Sequence, residues 1–241
     1  MDFLVIAVAC SQEKRVNMKI LEEEAYNSLT ENTRLLEADK HGPKVLLTND
    51  GKICKLFRCK RTFSSAKLYP YAQRFADNAK LLIEKGIPSV DLIGVYRIPH
   101  LDRDMVVYNF LNGNTLRNVL QKQYSSDLIH KTACFIARIH DMGVYFRSLH
   151  FGNIIILENG EFGLIDVSDM KIKPKSLGVG KRVRNFKAVM RYKEDMEFIN
   201  EFNFKKFIDV YIDEAGLSRK MFNFSLKLQP NHPAAPLLLK S

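Results

Sequence analysis

The residues of this chain whose types and spacing can do chemistry concentrate between His140 and Met170. A polar loop there closes on Asn153, and Ile154-Ile155-Ile156-Leu157 follows as a β-prone run. Glu158-Asn159-Gly160 forms a turn, and a second run ends at Asp166. An amide at the mouth of one strand and a carboxylate at the end of the next supply two oxygens that can fix a magnesium ion against phosphate groups. Upstream, period two puts Ile53, Lys55 and Phe57 on one face of a strand. A lysine among apolar same-face neighbours needs a partner for its ammonium, unless it simply snorkels to solvent. In this order, lysine, asparagine and aspartate match what phosphoryl transfer requires. Charge spreads over the moving phosphoryl oxygens, so a cation must hold the α and β phosphates and two oxygen ligands must fix the metal.

Such residues need elements to position them. Lys44 to Thr48 and Lys52 to Phe57 are β-prone runs joined by Asn49-Asp50-Gly51, a strong hairpin signal. A helix is expected from Ser64-Ser65 onward, with Gly86 as its C-cap and Pro88 as its stop. Val90–Tyr96 and Met105–Phe110 read as strands, and Leu116–Gln121 as a short helix. Asp127 to His140 carries Ile129, Ala133, Ile136, Ala137 and His140 at helical spacing. Residues 17–40 are charged and helix-friendly, with Leu21, Tyr26 and Leu29 as inward positions. From Met196 an amphipathic helix gives way to a loop and a frayed end at Pro-Asn-His-Pro-Ala-Ala-Pro. The fold class is therefore α+β, a small sheet with one helix followed by a mainly helical half, with a turn at Gly113 between them. The expected organisation is an N-terminal extension over 1–40, a β-rich lobe over 41–113 and a helical lobe over 114–241.

Composition bounds the function. With 46% hydrophobic and 27% charged residues the chain is globular in type, and 241 residues suffice for a substantial core. No apolar run approaches the roughly 20 residues of a membrane helix. Met1 to Cys10 is apolar, but Asp2 stands where a signal peptide carries positive charge. Ala7-Val8-Ala9-Cys10 is therefore read as part of a strand or an ordered tail rather than a lipoprotein cleavage site. Cys10, Cys54, Cys59 and Cys134 form no Cys-x-x-Cys and no paired spacing with histidine. That argues against a disulfide framework or zinc site and points to a reducing cytoplasm. The net charge of +10 implies an anionic partner: nucleic acid, phospholipid or a phosphorylated substrate. Much of it lies in 171–193, where Lys171, Lys173, Lys175, Lys181, Arg182, Arg184, Lys187, Arg191 and Lys193 meet no acidic residue. This is either a solvated basic face or an anion-docking surface. No aromatic-interleaved strand or zinc spacing supports a nucleic-acid partner.

Five runs carry a family resemblance: Gly-Pro-Lys-Val-Leu-Leu (42–47), Lys-Leu-Phe-Arg (55–58), Tyr-Pro-Tyr-Ala-Gln-Arg-Phe-Ala-Asp-Asn-Ala (69–79), Phe-Arg-Ser-Leu-His-Phe-Gly-Asn (146–153) and Gly-Leu-Ile-Asp-Val-Ser-Asp-Met (163–170). Over about residues 42–215 the chain resembles the bacterial lipopolysaccharide kinase family, in particular the branch labelled toluene tolerance proteins. The resemblance implies a bilobal protein-kinase-like fold with a small β-rich N-lobe and a mainly helical C-lobe. It also implies ATP and Mg2+ as cofactors, and phosphorylation of a lipopolysaccharide-core sugar at the cytoplasmic face of the inner membrane, with peripheral membrane contact. By the same resemblance Lys55 and Ile53 serve the nucleotide, Asn153 and Asp166 hold the metal, and Asn109 to Leu111 form a hinge that meets adenine through backbone groups.

Three departures from the kinase pattern stand out. Ser148 occupies the place of the catalytic aspartate; a serine can orient a hydroxyl but cannot take its proton at neutral pH. Asn78, with Asp77 adjacent, stands where the helix normally offers a glutamate to the lysine. No Gly-rich phosphate loop is present, and His41-Gly42-Pro43 and Asn49-Asp50-Gly51 are its only candidates. General-base help is worth roughly 10²–10⁴ in rate, so Ser148 predicts a slow or differently assisted enzyme. His150 can act as base if the loop turns it inward, or else ties the loop together. Arg147 anchors the loop or contacts a substrate phosphate, Phe146 packs as a loop anchor, and Asp169 serves the metal or caps the next element. The competing reading is a pseudokinase, a nucleotide-binding or scaffold protein without phosphotransfer.

Overall fold

The computed structural model of the chain describes residues 16–59, 69–229 and 231–239. The stretch Met1–Cys10 and the helix start expected at Ser64-Ser65 lie outside them. The chain divides into two units, Met1–Leu111 and Asn112–Ser241.

In the first unit, strands β1 (Met18–Ile20), β2 (Arg34–Asp39), β3 (Gly42–Leu47), β4 (Lys52–Arg58), β5 (Asp91–Ile98) and β6 (Arg103–Asn109) form one sheet, with helices α1 (Glu23–Thr30) and α2 (Tyr71–Glu84). The strand order is β1-β5-β6-β4-β3-β2. β1 runs parallel to β5, and the other neighbours are antiparallel. Gly51 takes the left-handed conformation (φ 81) that the Asn49-Asp50-Gly51 turn requires. That turn sets Leu47 opposite Ile53 and Val45 opposite Lys55. Alternation then divides β4 between two faces. Cys54 and Leu56 join Leu46, Ile98, Met105 and Val107 in a buried cluster, against which Leu21, Tyr26 and Leu29 pack. Ile53, Lys55 and Phe57 turn to the other side, where the Phe75 ring of α2 lies 6.1 Å from Phe57 and 5.2 Å from Tyr108.

The expected N-terminal extension over 1–40 is, from Met18 onward, part of this sheet. β1 and β2 form its two edges, and α1 between them in sequence packs Tyr26 and Leu29 against the buried cluster. The inward positions of residues 17–40 hold, but the segment is only one third helix because its start pairs with distant β5 and its end forms a hairpin with β3.

The second unit contains β7 (Asn114–Thr115), α3 (Leu116–Lys122), α4 (Ser126–Asp141), β8 (Val144–Phe146), β9 (Ile154–Ile156), β10 (Phe162–Leu164), β11 (Met170–Ile172), α5 (Val179–Val189), α6 (Lys193–Phe202), α7 (Phe204–Glu214), α8 (Arg219–Lys227) and α9 (Ala235–Leu238). β7 pairs with β9 and β9 with β10, while β8 and β11 make a separate ribbon. Gly113 lets β7 approach β9: a Cβ there would stand 2.4 Å from the Ile156 carbonyl oxygen. Thr115 and Ser125 cap α3 and α4, accepting from Asn118 N at 3.1 Å and Leu128 N at 3.2 Å. The apolar face of α4 is buried as its spacing predicts, Ile129, Ala133, Ile136 and Ala137 all at 0% exposure.

Past Met196 the chain is more helical than one helix and a loop. Asn203 (φ 82) breaks α6 from α7, and its side chain accepts from Lys205 N and Lys206 N to cap the new helix. The tail is docked rather than frayed, with buried His232 bonded through Nε2 to Val183 O at 2.8 Å.

Candidate functional site

The β9–β10 ladder builds the central part of the site. Ile154 stands opposite Leu164, and Ile165 N donates to Asn153 O at 3.1 Å. Asn153 and Asp166 therefore emerge at the same end of one ribbon. Asn153 is buried, and its Nδ2 donates to Ser148 O at 2.9 Å, which fixes the amide and leaves Oδ1 as its outward oxygen. Asp166 adopts φ 56 and ψ 44, the left-handed region. Among the described residues Asn32, Asp102, Asn203 and Asn231 also take positive φ, a region that short polar side chains such as Asp and Asn tolerate best. An amide oxygen and a carboxylate are hard donors of the kind magnesium takes. They are too few to complete its octahedron, so water and phosphate oxygens must supply the rest. The donor set fits Mg2+ shared with a phosphorylated ligand. Among the described residues no three His, Cys, Asp or Glu side chains gather to hold a metal by themselves.

The loop from Arg147 to Asn153 is tethered at almost every residue. Arg147 N donates to Asp169 O at 3.1 Å, and Arg191 Nη2 donates to Arg147 O at 2.9 Å. The exposed Arg147 side chain pairs with Asp169 at 3.3 Å, so Asp169 is a loop partner here. Ser148 is half-buried, and its carbonyl also accepts from His150 N at 3.0 Å. His150 lies edge-on to Tyr192 with ring centroids 4.7 Å apart, and its Nδ1 is buried with no hydrogen-bond partner. Burial, helped by Arg117 and Arg191, lowers its pKa against the opposing pull of Asp195 and Asp166. The ring is therefore neutral at neutral pH.

Two anchors of this loop were not foreseen from the sequence. Asp195 is fully buried and accepts from Arg117 Nε at 2.7 Å, Arg117 Nη2 at 3.0 Å and Phe151 N at 3.0 Å. The Arg117 guanidinium also lies over the Tyr192 ring, 4.7 Å from its centroid. The second anchor is Asn185, which clamps Phe146 from both sides: Nδ2 donates to Phe146 O at 2.6 Å and Oδ1 accepts from Phe146 N at 3.1 Å. His140 Nε2 lies 3.2 Å from the same Oδ1, and His140 Nδ1 lies 2.9 Å from Tyr211 Oη. Because Asn185 Oδ1 can only accept, Nε2 carries the proton and Tyr211 donates to Nδ1. No local pattern marks Asp195 or Asn185, since each meets its partners far along the chain.

The basic stretch at 171–193 is not one uniform surface. Arg182 is buried, donating to Leu177 O at 2.7 Å, to Ser176 Oγ at 2.7 Å and to Asp141. Arg191 is spent on the loop. The lysines of the stretch remain exposed.

In the first unit, Lys55 Nζ lies 5.7 Å from the Phe75 centroid and 5.8 Å from that of Phe57. Asp77 is committed elsewhere, accepting from Val16 N at 2.8 Å, Gln73 Nε2 at 2.9 Å and Tyr69 Oη at 2.8 Å. Asn78, three residues beyond Phe75, shares its side of α2. Ile53 is buried on the Lys55 face. Asn109 closes β6 opposite Lys52 and Asp91, its Nδ2 donating to Asp91 at 2.7 Å, and Phe110 and Leu111 run on past the last ladder pair. Both candidate phosphate loops are hairpin turns of the sheet, His41-Gly42 between β2 and β3 and Asn49-Asp50-Gly51 between β3 and β4.

No family model matches the chain, and no curated protein matches it. Among solved structures it is similar to the bifunctional kinase-methyltransferase WbdD, at 12% identity and a TM-score of 0.43, over 81% of this chain and 46% of that one. The chain thus spans about half the length of that protein.

Proposed function

We propose that this chain is an ATP-dependent phosphotransferase that moves the γ-phosphate to a sugar hydroxyl of a lipopolysaccharide core, working at the cytoplasmic face of a bacterial inner membrane. The observation that carries the reading is the pairing of Asn153 with a left-handed Asp166 at one end of the β9–β10 ribbon. The five sequence runs that resemble those of lipopolysaccharide kinases favour the same chemistry. Asn153 and Asp166 would hold Mg2+, which when bound would neutralise charge on the phosphates. Lys55, Ile53, Asn78 and the backbone of Asn109 to Leu111 are assigned to ATP. The tethered loop would present Ser148 to the acceptor hydroxyl, with the neutral His150 ring behind it and Arg147 at its exposed start.

A second reading, a nucleotide-binding pseudokinase, is favoured by one observation. Ser148 brings no carboxylate to the loop, and its carbonyl is already used to hold Asn153. The experiment is ATP binding by the purified chain with and without magnesium, beside Asp166→Asn. Magnesium-dependent binding that the substitution abolishes supports the site. Unchanged binding and turnover in Asp166→Asn would sink the metal assignment. Binding without turnover on any core-sugar acceptor would favour the pseudokinase.

A further inference from the structure

Helix α8 leaves an apolar stripe uncovered. Phe222 and Leu226 are buried, yet Met221, Phe224 and Leu228 are 59%, 63% and 66% exposed. At helical spacing these three fall on one outward strip, and the exposed Lys220 and Lys227 border it on one side. Ser225 and Gln229 lie toward its other border, against the start of α5. Gln229 Nε2 donates to Gly180 O at 3.0 Å, and a Cβ on Gly180 would meet Ser225 Oγ at 3.6 Å. That start of α5 is where a cavity of about 370 Å³ opens, lined by Lys173, Lys175 and Lys181. All three lysines are exposed. The charges that act most on Lys181 are cations, and its pKa is lowered by Lys173 first, with Arg184 and Lys171 behind it. The cavity's Ser176 shares Arg182 with the Asp141 carboxylate, which is neutralised in place.

We propose that this face, the α8 stripe with the lysine-lined cavity beside it, docks the protein in the plane of an anionic membrane surface. Charge complementarity selects the occupant. Lysines along one border of a narrow apolar strip, and in the cavity beyond Ser225 and Gln229 at the other, fit an interface where side chains enter the acyl boundary while ammonium groups meet phosphate headgroups. A free phosphate would use the cavity and leave Met221, Phe224 and Leu228 without a role. A second copy of the chain would bring the same cations against themselves. The proposal does not depend on phosphotransfer, and its readout is separate from ATP binding.

The test is flotation of the full chain with vesicles of phosphatidylcholine alone and of phosphatidylcholine with phosphatidylglycerol, at low and high salt. Binding is expected only with phosphatidylglycerol and is expected to weaken with salt. Phe224→Ser should weaken it roughly tenfold, and Lys173→Glu and Lys181→Glu roughly fivefold or more each. All these side chains are exposed, so thermal melts matching the parent will verify that the variants fold. No binding to phosphatidylglycerol vesicles at low salt overturns the proposal. Binding that the lysine reversals abolish but Phe224→Ser leaves intact overturns the insertion of α8. Inorganic phosphate binding without vesicle binding assigns the cavity to a free anion. Self-association abolished by Phe224→Ser, without vesicle binding, assigns the stripe to a second copy.

Discussion

Ser148 has a hydroxyl where a proton acceptor would be expected, and the loop around it limits what that hydroxyl does. The backbone on either side is bonded, Arg147 to Asp169 and Arg191, and Ser148 itself through its carbonyl to Asn153 and His150. The side chain is thus carried on a fixed frame, suited to orienting an acceptor hydroxyl by one hydrogen bond. Such a bond is worth about 1 kcal/mol net, which is roughly fivefold in rate. Ser148→Ala should therefore lower turnover by less than about tenfold while ATP binding stays unchanged. Steady-state kinetics beside a binding titration will check this, and a complete loss of turnover would mean that serine takes part in the chemistry. At this scale the sequence made the strand positions of Asn153, Asp166 and Lys55 legible because residue type and alternation are local properties. Arg182 was read with the exposed basic residues of its stretch, yet it is buried, because its partners Asp141, Ser176 and Leu177 converge only in the folded unit.

Elements with a strong internal period could be read from the sequence alone, and those defined by distant partners could not. The β3–β4 hairpin, α2 and α4 follow from Asp-Gly, a glycine stop and a run of apolar residues at helical spacing. β1 escaped because three residues have no pattern of their own, and they become a strand only by pairing with Val95–Arg97 of β5. The β8 strand shows how far element position depends on such remote contacts. Asn185 on α5 satisfies both backbone groups of Phe146 and the Nε2 proton of His140. Asn185→Ala leaves Phe146 N and the His140 Nε2 proton buried and unpaired, at about 1–3 kcal/mol for each, while Phe146 O keeps only the Leu149 N–H at 3.2 Å. A total loss of about 2–5 kcal/mol should lower the melting temperature by more than about 4 °C. It should also release the start of the Arg147–Asn153 loop. Melting within a degree or two of the parent, about the scatter of such a measurement, would contradict the clamp.

At the scale of the molecule, net charge and buried histidines together set the response to acid. The chain carries +10 at neutral pH, and each proton added to it increases self-repulsion. His140 is the sharpest case. Its Nε2–H is given to Asn185, its Nδ1 accepts from Tyr211, and the Arg182 guanidinium donates to Tyr211 Oη at 3.4 Å. A second proton has no acceptor there. Complete burial, reinforced by the Arg182 charge, pushes its pKa down to about 3. Burial lowers His150 and His232 in the same direction. An unfolded histidine titrates near 6.5, so between about pH 6.5 and about pH 3 the unfolded chain binds a proton at position 140 that the folded chain refuses. Stability is thus whole above that window and falls as pH falls through it, by up to about 1.4 kcal/mol per pH unit for each such histidine. Urea midpoints measured from about pH 7.5 down to about pH 5 should therefore decline steadily. His140→Gln should make that decline shallower by one histidine's share, whatever it does to the midpoint at the upper end. A slope that the substitution leaves unchanged would mean that His140 is already protonated in the folded protein.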